Sequence, residues 1–410
     1  MASGGSRYAA SQAILRRASR IIPGAHHLSG RPLLDAERSP LYFDRAKGCR
    51  LWDVDGHEYI DSLMAYGAVG LGYACAEVDR AAFAQTTQGS LVSLNHPLHV
   101  QFIESLLERF PFAEMGVFLK TGSEATTAAV RIARRATGRK WVVRCGYHGW
   151  HDWCLPLEDF VPRGLDDQVI ELQAPADLAS LFAAHAGEIA AVILAPEMIV
   201  PLDREVFAGI AATTRENGAV FVLDEVKTAF RTSPGSIHQR LNVTPDLLTV
   251  SKALGNGWPI AAVLGTREVM ENASGMHLSA TYHGDTACMA AAMASMTIFE
   301  RDEVASHLGR LGVRLITGLD ERARHHRIPA TAYGEPLPPM PFLRFTHPTP
   351  RVNDALRATF FEEVLRGGVL LHPRHLWFVS QAHREEDIDR TLDVCDRAFA
   401  SARAAHESEL

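Results

Sequence analysis

The sequence predicts an α/β protein. It has a large domain built on a central, mostly parallel sheet flanked by helices, and a smaller α+β domain. Short, nearly unbroken apolar runs recur through the middle of the chain, as expected of strands buried on both faces. Helical patterns alternate with these runs. Beyond about residue 334 the character changes to a Pro-rich stretch, a β-like run and an amphipathic helix. The 410 residues suffice for both domains. The expected division is 1–50 for an N-terminal helix and arm that is part of the small domain and the active-site edge, 51–300 for the large domain and 301–410 for the small one.

Taken in order, "SQAILRRASRIIPG" (11–24) reads as a short amphipathic helix stopped by Pro23 and Gly24. Its surroundings, Arg-rich and without acid up to Leu34, also have the composition of a transit peptide. "CRLWDVDGHEYID" (49–61) reads as a hairpin turning at Asp55-Gly56. "MGVFLK" is a strand followed by a helix whose Ala125, Ala128, Ala129, Ile132, Ala133 and Ala136 share one face, with Gly138 as its stop. Buried strands follow at 141–145, 190–197, 219–226, 247–252 and 260–265, with the covering helix Arg204–Asn217 closed by Gly218. "FLRF" (342–345) is β-like. "REEDIDRTLDVCDRAF" aligns Ile388, Leu392, Cys395 and Phe399 on one helical face.

Composition narrows the function. Hydrophobic residues at 47% and charged residues at 22% are ordinary globular values. A net charge of −7 gives no support for a nucleic-acid partner. No apolar stretch approaches the roughly 20 residues of a membrane span, and no membrane partner is expected. The six cysteines lack C-x-x-C spacing, which fits reduced thiols and a cytoplasmic location.

The candidate chemistry gathers at strand ends. Lys252 follows an apolar, β-branched run and precedes a Gly-rich bend. It is either the first exposed residue after a strand or a desolvated amine that attacks carbonyls. Asp224 ends "VFVLD", as a cap or as the partner of a cation. Gly122 and Ser123 open a helix whose first N–H groups and hydroxyl form a ready phosphate seat, or a simple N-terminal cap. Tyr147, in the aromatic run "CGYHGWHDW", can stack on a planar ring or pack in the core. His148-x-x-His151-Asp152 has ligand-like spacing, but no further acid or histidine group completes a site, so no metal is expected. A phosphate seat, a stacking aromatic, a carboxylate and a reactive lysine are together the parts that hold pyridoxal phosphate.

The ordered motifs TGSEA, YHGWHD, DEV, SKALGNGWP and ATYHG resemble the fold-type I, class III aminotransferases, and most closely their glutamate-1-semialdehyde aminomutase branch. The likeness runs from "IIPGAHHLSG" to "AHREEDIDRTLD" and covers almost all the chain. It implies that Lys252 forms a Schiff base with pyridoxal 5′-phosphate and then shuttles protons. It implies that Asp224 pairs with the ring nitrogen, that Tyr147 and Val226 pack on the two ring faces, and that Gly122 and Ser123 hold the phosphate. Thr281 would reach the phosphate of a neighbouring subunit in a homodimer whose sites lie at the interface. Arg31, Tyr66 and Glu197 fall on the substrate side, with Arg344 and Arg374 as further carboxylate partners in the small domain.

Three positions depart from that pattern. Ala195-Pro196 stands where the family has Glu-Pro, with Glu197 one place later. Ala280 replaces a glycine, and Gly284-Asp285-Thr286 replaces Gly-Asn-Pro. "LLHPRHLWFVSQAH" is shorter than its aminomutase counterpart and lacks that enzyme's acidic segment. The resemblance therefore implies an aminotransferase that moves an amino group from an amino-acid donor to a keto or aldehyde acceptor, with pyridoxamine phosphate as the intermediate form. Its alternatives are an isomerase of the same cofactor class (an aminomutase or racemase) and a non-catalytic pyridoxal-phosphate-binding protein.

Overall fold

Seven strands form the central sheet of the computed structural model, in the spatial order Met115–Leu119, Ala261–Gly265, Leu247–Val250, Val220–Asp224, Ile189–Leu194, Trp141–Cys145, Val169–Glu171. The structure describes residues 7–25, 33–35, 37–154, 168–199, 202–334 and 337–409. Ala261–Gly265 runs antiparallel to both of its neighbours, and the other pairings are parallel. Four of the strands, Ile189–Leu194, Val220–Asp224, Leu247–Val250 and Ala261–Gly265, are buried at every residue. Unbroken apolar sequence therefore identifies them, because neither face meets water. Each of these strands is shorter than its apolar run suggests. The residues past the strand ends, among them Glu197, Val226 and Lys252, sit in turns.

The sheet belongs to one compact unit, Ala76–Ser306. Helix Gly122–Thr137 covers it with the alanine-rich face expected from sequence: Ala125, Ala128, Ala129, Val130, Ile132 and Ala133 are buried. Gly138 stops the helix in the left-handed conformation. Helix Arg204–Glu216 is capped by Asp203, which accepts from the N–H groups of Glu205 and Val206.

The other unit joins Met1–Cys75 to His307–Leu410. The expected boundary at residue 50 thus falls at 75. The cause is strand pairing: the hairpin Arg50–Asp53/Glu58–Asp61 forms as expected, but its second strand pairs in parallel with Val369–Leu370. Phe43–Lys47 completes this four-stranded sheet. "FLRF" forms a strand with Ala330–Tyr333, and the terminal helix runs Glu385–Ala405. The N-terminal helix spans Ala9–Ala18, earlier than its apolar pattern suggests, and Gly24 turns the chain after it with φ 75°.

Candidate active site

In parallel sheets, side chains that act on ligands gather beyond the carboxyl ends of strands. Asp224 is the last residue of its strand and lies beside Thr249 of the neighbouring one. Its Oδ1 accepts from Thr249 Oγ1 at 2.9 Å and from the Val226 N–H at 3.1 Å. Its Oδ2 accepts from His148 Nδ1 at 2.7 Å. The residue is 4% exposed. Burial opposes ionisation, but the His148 hydrogen bond and charge, with the Val226 and Thr249 donors, hold the carboxyl below its ordinary range. Asp224 is thus a fixed anion.

Lys252 follows Ser251 at the end of the next strand and opens the short turn Lys252–Gly255. Its backbone is left-handed, φ 48°, which costs a residue with a side chain about 1–2 kcal/mol. Asn256 and Gly257 are also left-handed, at φ 44° and 99°, so the bend after the lysine has the conformation its sequence favours. Burial, with the charges of Lys227 and Arg231, pulls the Lys252 amine down to about 8, against the opposing effect of Glu197 and Asp224.

Helix Gly122–Thr137 begins with Thr121 as its cap: the side chain accepts from Glu124 N–H, and Glu124 Oε2 accepts from Thr121 N–H at 2.9 Å. Gly122 and Ser123 are therefore the first two helical residues, whose N–H groups have no partner within the helix. Space around them is closely fitted. A side chain at Gly122 would meet Val226 at 2.7 Å, and one at Gly149 would collide with Ser123 Oγ. Gly149 is at φ 110°, so the Tyr147-His148-Gly149 turn packs directly on the helix start. Thr126 Oγ1 donates to the His148 carbonyl at 2.5 Å and fixes the same turn. Tyr147 is 57% exposed beside it.

One connected group thus holds Gly122, Ser123, Val226, Asp224 and Tyr147, with Lys252 and Glu197 joined to it through their charges. Sequence reasoning missed His148, weighing it only as a metal ligand. The histidine is buried, stacks on Trp153 at 6.2 Å and 16°, and its Nε2 has no hydrogen-bond partner among the described residues. Its signal was its place after a buried strand, next to the stacking tyrosine. The sequence also missed Lys227, whose Nζ lies 2.6 Å from Glu197 Oε1.

Thr281 lies outside this contact group, in an exposed turn with the exposed Tyr282. Tyr66 belongs to the other unit. There it follows Met64 and Ala65 in a left-handed run (φ 46°, 51° and 55°) and lies 5.1 Å from the His375 ring and 6.1 Å from His372. Arg344 meets the Tyr333 ring at 5.1 Å. Arg374 donates its backbone N–H to His372 Nδ1. Arg31 lies outside the described residues.

These residues suit pyridoxal phosphate: an N-terminal helix seat for a phosphate, a buried fixed anion for a protonated ring nitrogen, and an amine of depressed basicity for the aldehyde. A fold of this kind with such a site defines the fold-type I pyridoxal-phosphate enzymes.

Comparison with known proteins narrows the class. Residues 34–334 match the family described as "Aminotransferase class-III". A 3-aminobutyryl-CoA aminotransferase of Cloacimonas acidaminovorans is 31% identical, covering 97% of this chain and 98% of its own. A glutamate-1-semialdehyde 2,1-aminomutase of Chloroflexus aggregans is 33% identical over 96% and 98%. The solved structure of the FumI protein of Sphingopyxis sp. MTA144, with pyridoxal phosphate, superposes with a TM-score of 0.91 at 30% identity, covering 99% and 98% of the two chains. The chain belongs to the class III aminotransferases, enzymes that use pyridoxal phosphate.

Proposed function

We propose that this enzyme is a transaminase: an amino-acid donor leaves its amine on the cofactor, and a separate keto or aldehyde acceptor takes it. The observation that favours this over an aminomutase is the segment Leu370–His383. It carries no acid, and its His372 and His375 gather on Tyr66. The acidic segment that the aminomutase resemblance calls for has no counterpart there. The likeness to a relative named for 3-aminobutyryl-CoA suggests an acceptor whose carbonyl is not next to a carboxylate.

In this reading, Lys252 would hold the cofactor through its Nζ, with the aldehyde oxygen leaving as water, and its free amine would move a proton at the donor's reacting carbon. The bound cofactor supplies an electron sink for the carbanion that proton removal creates. Asp224 keeps the ring nitrogen protonated, so that the sink stays strong. Tyr147 and Val226 hold the ring faces, and Gly122 with Ser123 hold the phosphate. Tyr66, Arg31, Arg344 and Arg374 serve the substrate side.

Thr281 completes the phosphate seat of a second subunit in a homodimer. Three facts support that assembly. Thr281 and Tyr282 are exposed, and Val92, Leu94 and Val100 are 61%, 82% and 61% exposed. Thr286 also ties the two segments, donating from N and Oγ1 to the Ser90 carbonyl at 2.8 and 3.1 Å. Apolar exposure on this scale marks an interaction surface. Among the described residues no helix is long and apolar enough to cross a membrane, and free thiols at all six cysteines suit a cytoplasmic enzyme.

The test is a half-reaction. Holoenzyme given one amino donor is expected to release the matching keto acid and accumulate pyridoxamine phosphate, read by its spectrum. Product formed from a single substrate, with no keto acid released, would replace this reading with the isomerase.

A further inference from the structure

Among the residues around Asp224, His148 is held by less than its position demands. Its Nδ1 bonds Asp224 Oδ2 at 2.7 Å, its side chain is fully buried, and its Nε2 has no hydrogen-bond partner among the described residues. One bond at one edge does not fix the plane of an imidazole, because the ring torsion of histidine is broad. The plane is fixed from the other side. Trp153 lies 6.2 Å from the His148 ring and 16° from parallel to it, within the range of an offset stack. The tryptophan cannot turn either. Its Nε1 donates to Thr127 Oγ1 at 2.8 Å, and the residue is 7% exposed. An indole N–H can only donate, so the threonine oxygen accepts. The Thr127 hydroxyl proton then goes to His151 Nδ1, 2.8 Å away and its one acceptor among the described residues.

The same helix does more. Thr126, one place earlier, donates from Oγ1 to the His148 carbonyl at 2.5 Å. Consecutive threonines of helix Gly122–Thr137 therefore hold the backbone of His148 and, through Trp153, its ring. That helix begins at Gly122 and Ser123. One rigid element thus carries the phosphate seat at its start and, about one turn on, the fixings of the histidine that holds Asp224. A ligand with a fixed span between its phosphate and its ring nitrogen needs that spacing kept, and supporting residues on a rigid element keep it. Core packing alone asks for an apolar side chain at 153. It asks neither for a ring parallel to His148 nor for a hydroxyl at 127.

Resting on the reading that Asp224 pairs with the cofactor's ring nitrogen, we propose that Thr127 and Trp153 are positioning residues of this enzyme. The Thr127 hydroxyl pins the Trp153 indole, the indole fixes the plane of His148, and His148 aims the Asp224 carboxylate at the place of the ring nitrogen.

Proton exchange and visible absorption test this together. In the full chain labelled with heavy nitrogen at its histidines, with and without pyridoxal phosphate, magnetic resonance identifies the His148 N–H proton by its loss in His148→Asn. Thr127→Val keeps the shape of the side chain and removes the tether, and exchange of that proton with water is expected to quicken at least about tenfold. Trp153→Leu removes the ring and quickens it further. Thr127→Ser keeps the hydroxyl and restores the wild-type rate, which a general packing defect would not. In the holoenzymes, the visible band of Thr127→Val moves in the same direction as that of Asp224→Asn, and pyridoxal phosphate leaves about tenfold faster on dilution. Trp153→Phe, a ring without the N–H, serves if the leucine variant does not fold, and is expected to match Thr127→Val. A His148 proton as protected in these variants as in wild type overturns the proposal while leaving Asp224 in its role, even where the melting temperature falls. A loosened proton beside an unmoved band in Thr127→Val overturns it too. A band unmoved in Asp224→Asn overturns both readings.

Discussion

Each unit of the molecule holds a buried carboxylate below its ordinary basicity, and the two acids do different work. In the unit that joins Met1–Cys75 to His307–Leu410, Asp387 meets Arg50 Nη2 at 2.5 Å, accepts the Arg384 N–H at 3.0 Å and takes a contact from Cys49 Sγ at 3.4 Å. Burial resists its ionisation, and the Arg384 N–H and the Arg50 cation outweigh it. Asp387 sits in the first turn of helix Glu385–Ala405, so its partners close that helix end. In the unit Ala76–Ser306, Asp224 is held by a neutral hydroxyl, a backbone N–H and a histidine, at a strand end next to a helix start. No lysine or arginine hydrogen-bonds to it among the described residues. Asp387 is answered by a guanidinium, whereas Asp224 is answered by an imidazole and two uncharged donors.

The broadest way to break this comparison is at the amine that shares the Asp224 site. Lys252→Ala is expected to be colourless with pyridoxal phosphate and to lose activity by at least about a thousandfold. A borohydride-reducible adduct that persists in this variant would remove Lys252 from its role. Asp224→Asn comes next. With Thr249 and Val226 still able to hold the side chain, the fold is expected to persist, with kcat lower by roughly a hundredfold or more. A melting temperature near wild type beside a shifted visible spectrum would separate function from folding. Asp387→Asn should show the reverse: about 1–3 kcal/mol of stability lost in chemical denaturation, with the spectrum unchanged. A shifted cofactor spectrum there would erase the distinction between the two acids.

The smallest effect is one of pH. Lys252 must be a neutral amine to attack the aldehyde, and its basicity is pulled down to about 8. Reloading of apoenzyme with pyridoxal phosphate should therefore quicken as pH rises through about 8 and then level. An ordinary lysine would continue to gain up to about 10.4. Stopped-flow absorbance reads the rate, and a profile still rising above pH 9 would place the amine in water.

Local pattern identified the strands and the charged groups at their ends. Short, β-branched apolar runs between turns suit strands covered on both sides, and a lysine or aspartate at the end of such a run needs an explanation wherever it sits. Lys252, Asp224 and the Gly122-Ser123 helix start were legible for that reason. His148 was not, because its meaning depends on Asp224, 76 residues away, and histidine next to an aromatic reads equally as packing. Lys227 was hidden in the same way, because its meaning depends on Glu197, thirty residues earlier. The sequence shows the acid displaced by one place, to Glu197, and the turn Pro196–Met198 sets it against a lysine from the next strand's turn.

By itself, the sequence determined the alternation of strand and helix and the family, because these depend on short-range pattern and residue chemistry. Only the tertiary structure decided which cations and acids meet. It also moved the unit boundary from 50 to 75, through the pairing of Glu58–Asp61 with a strand more than 300 residues later. Both are set by contacts between distant segments. A charge's effect on its neighbours falls with distance through space, whatever the separation along the chain.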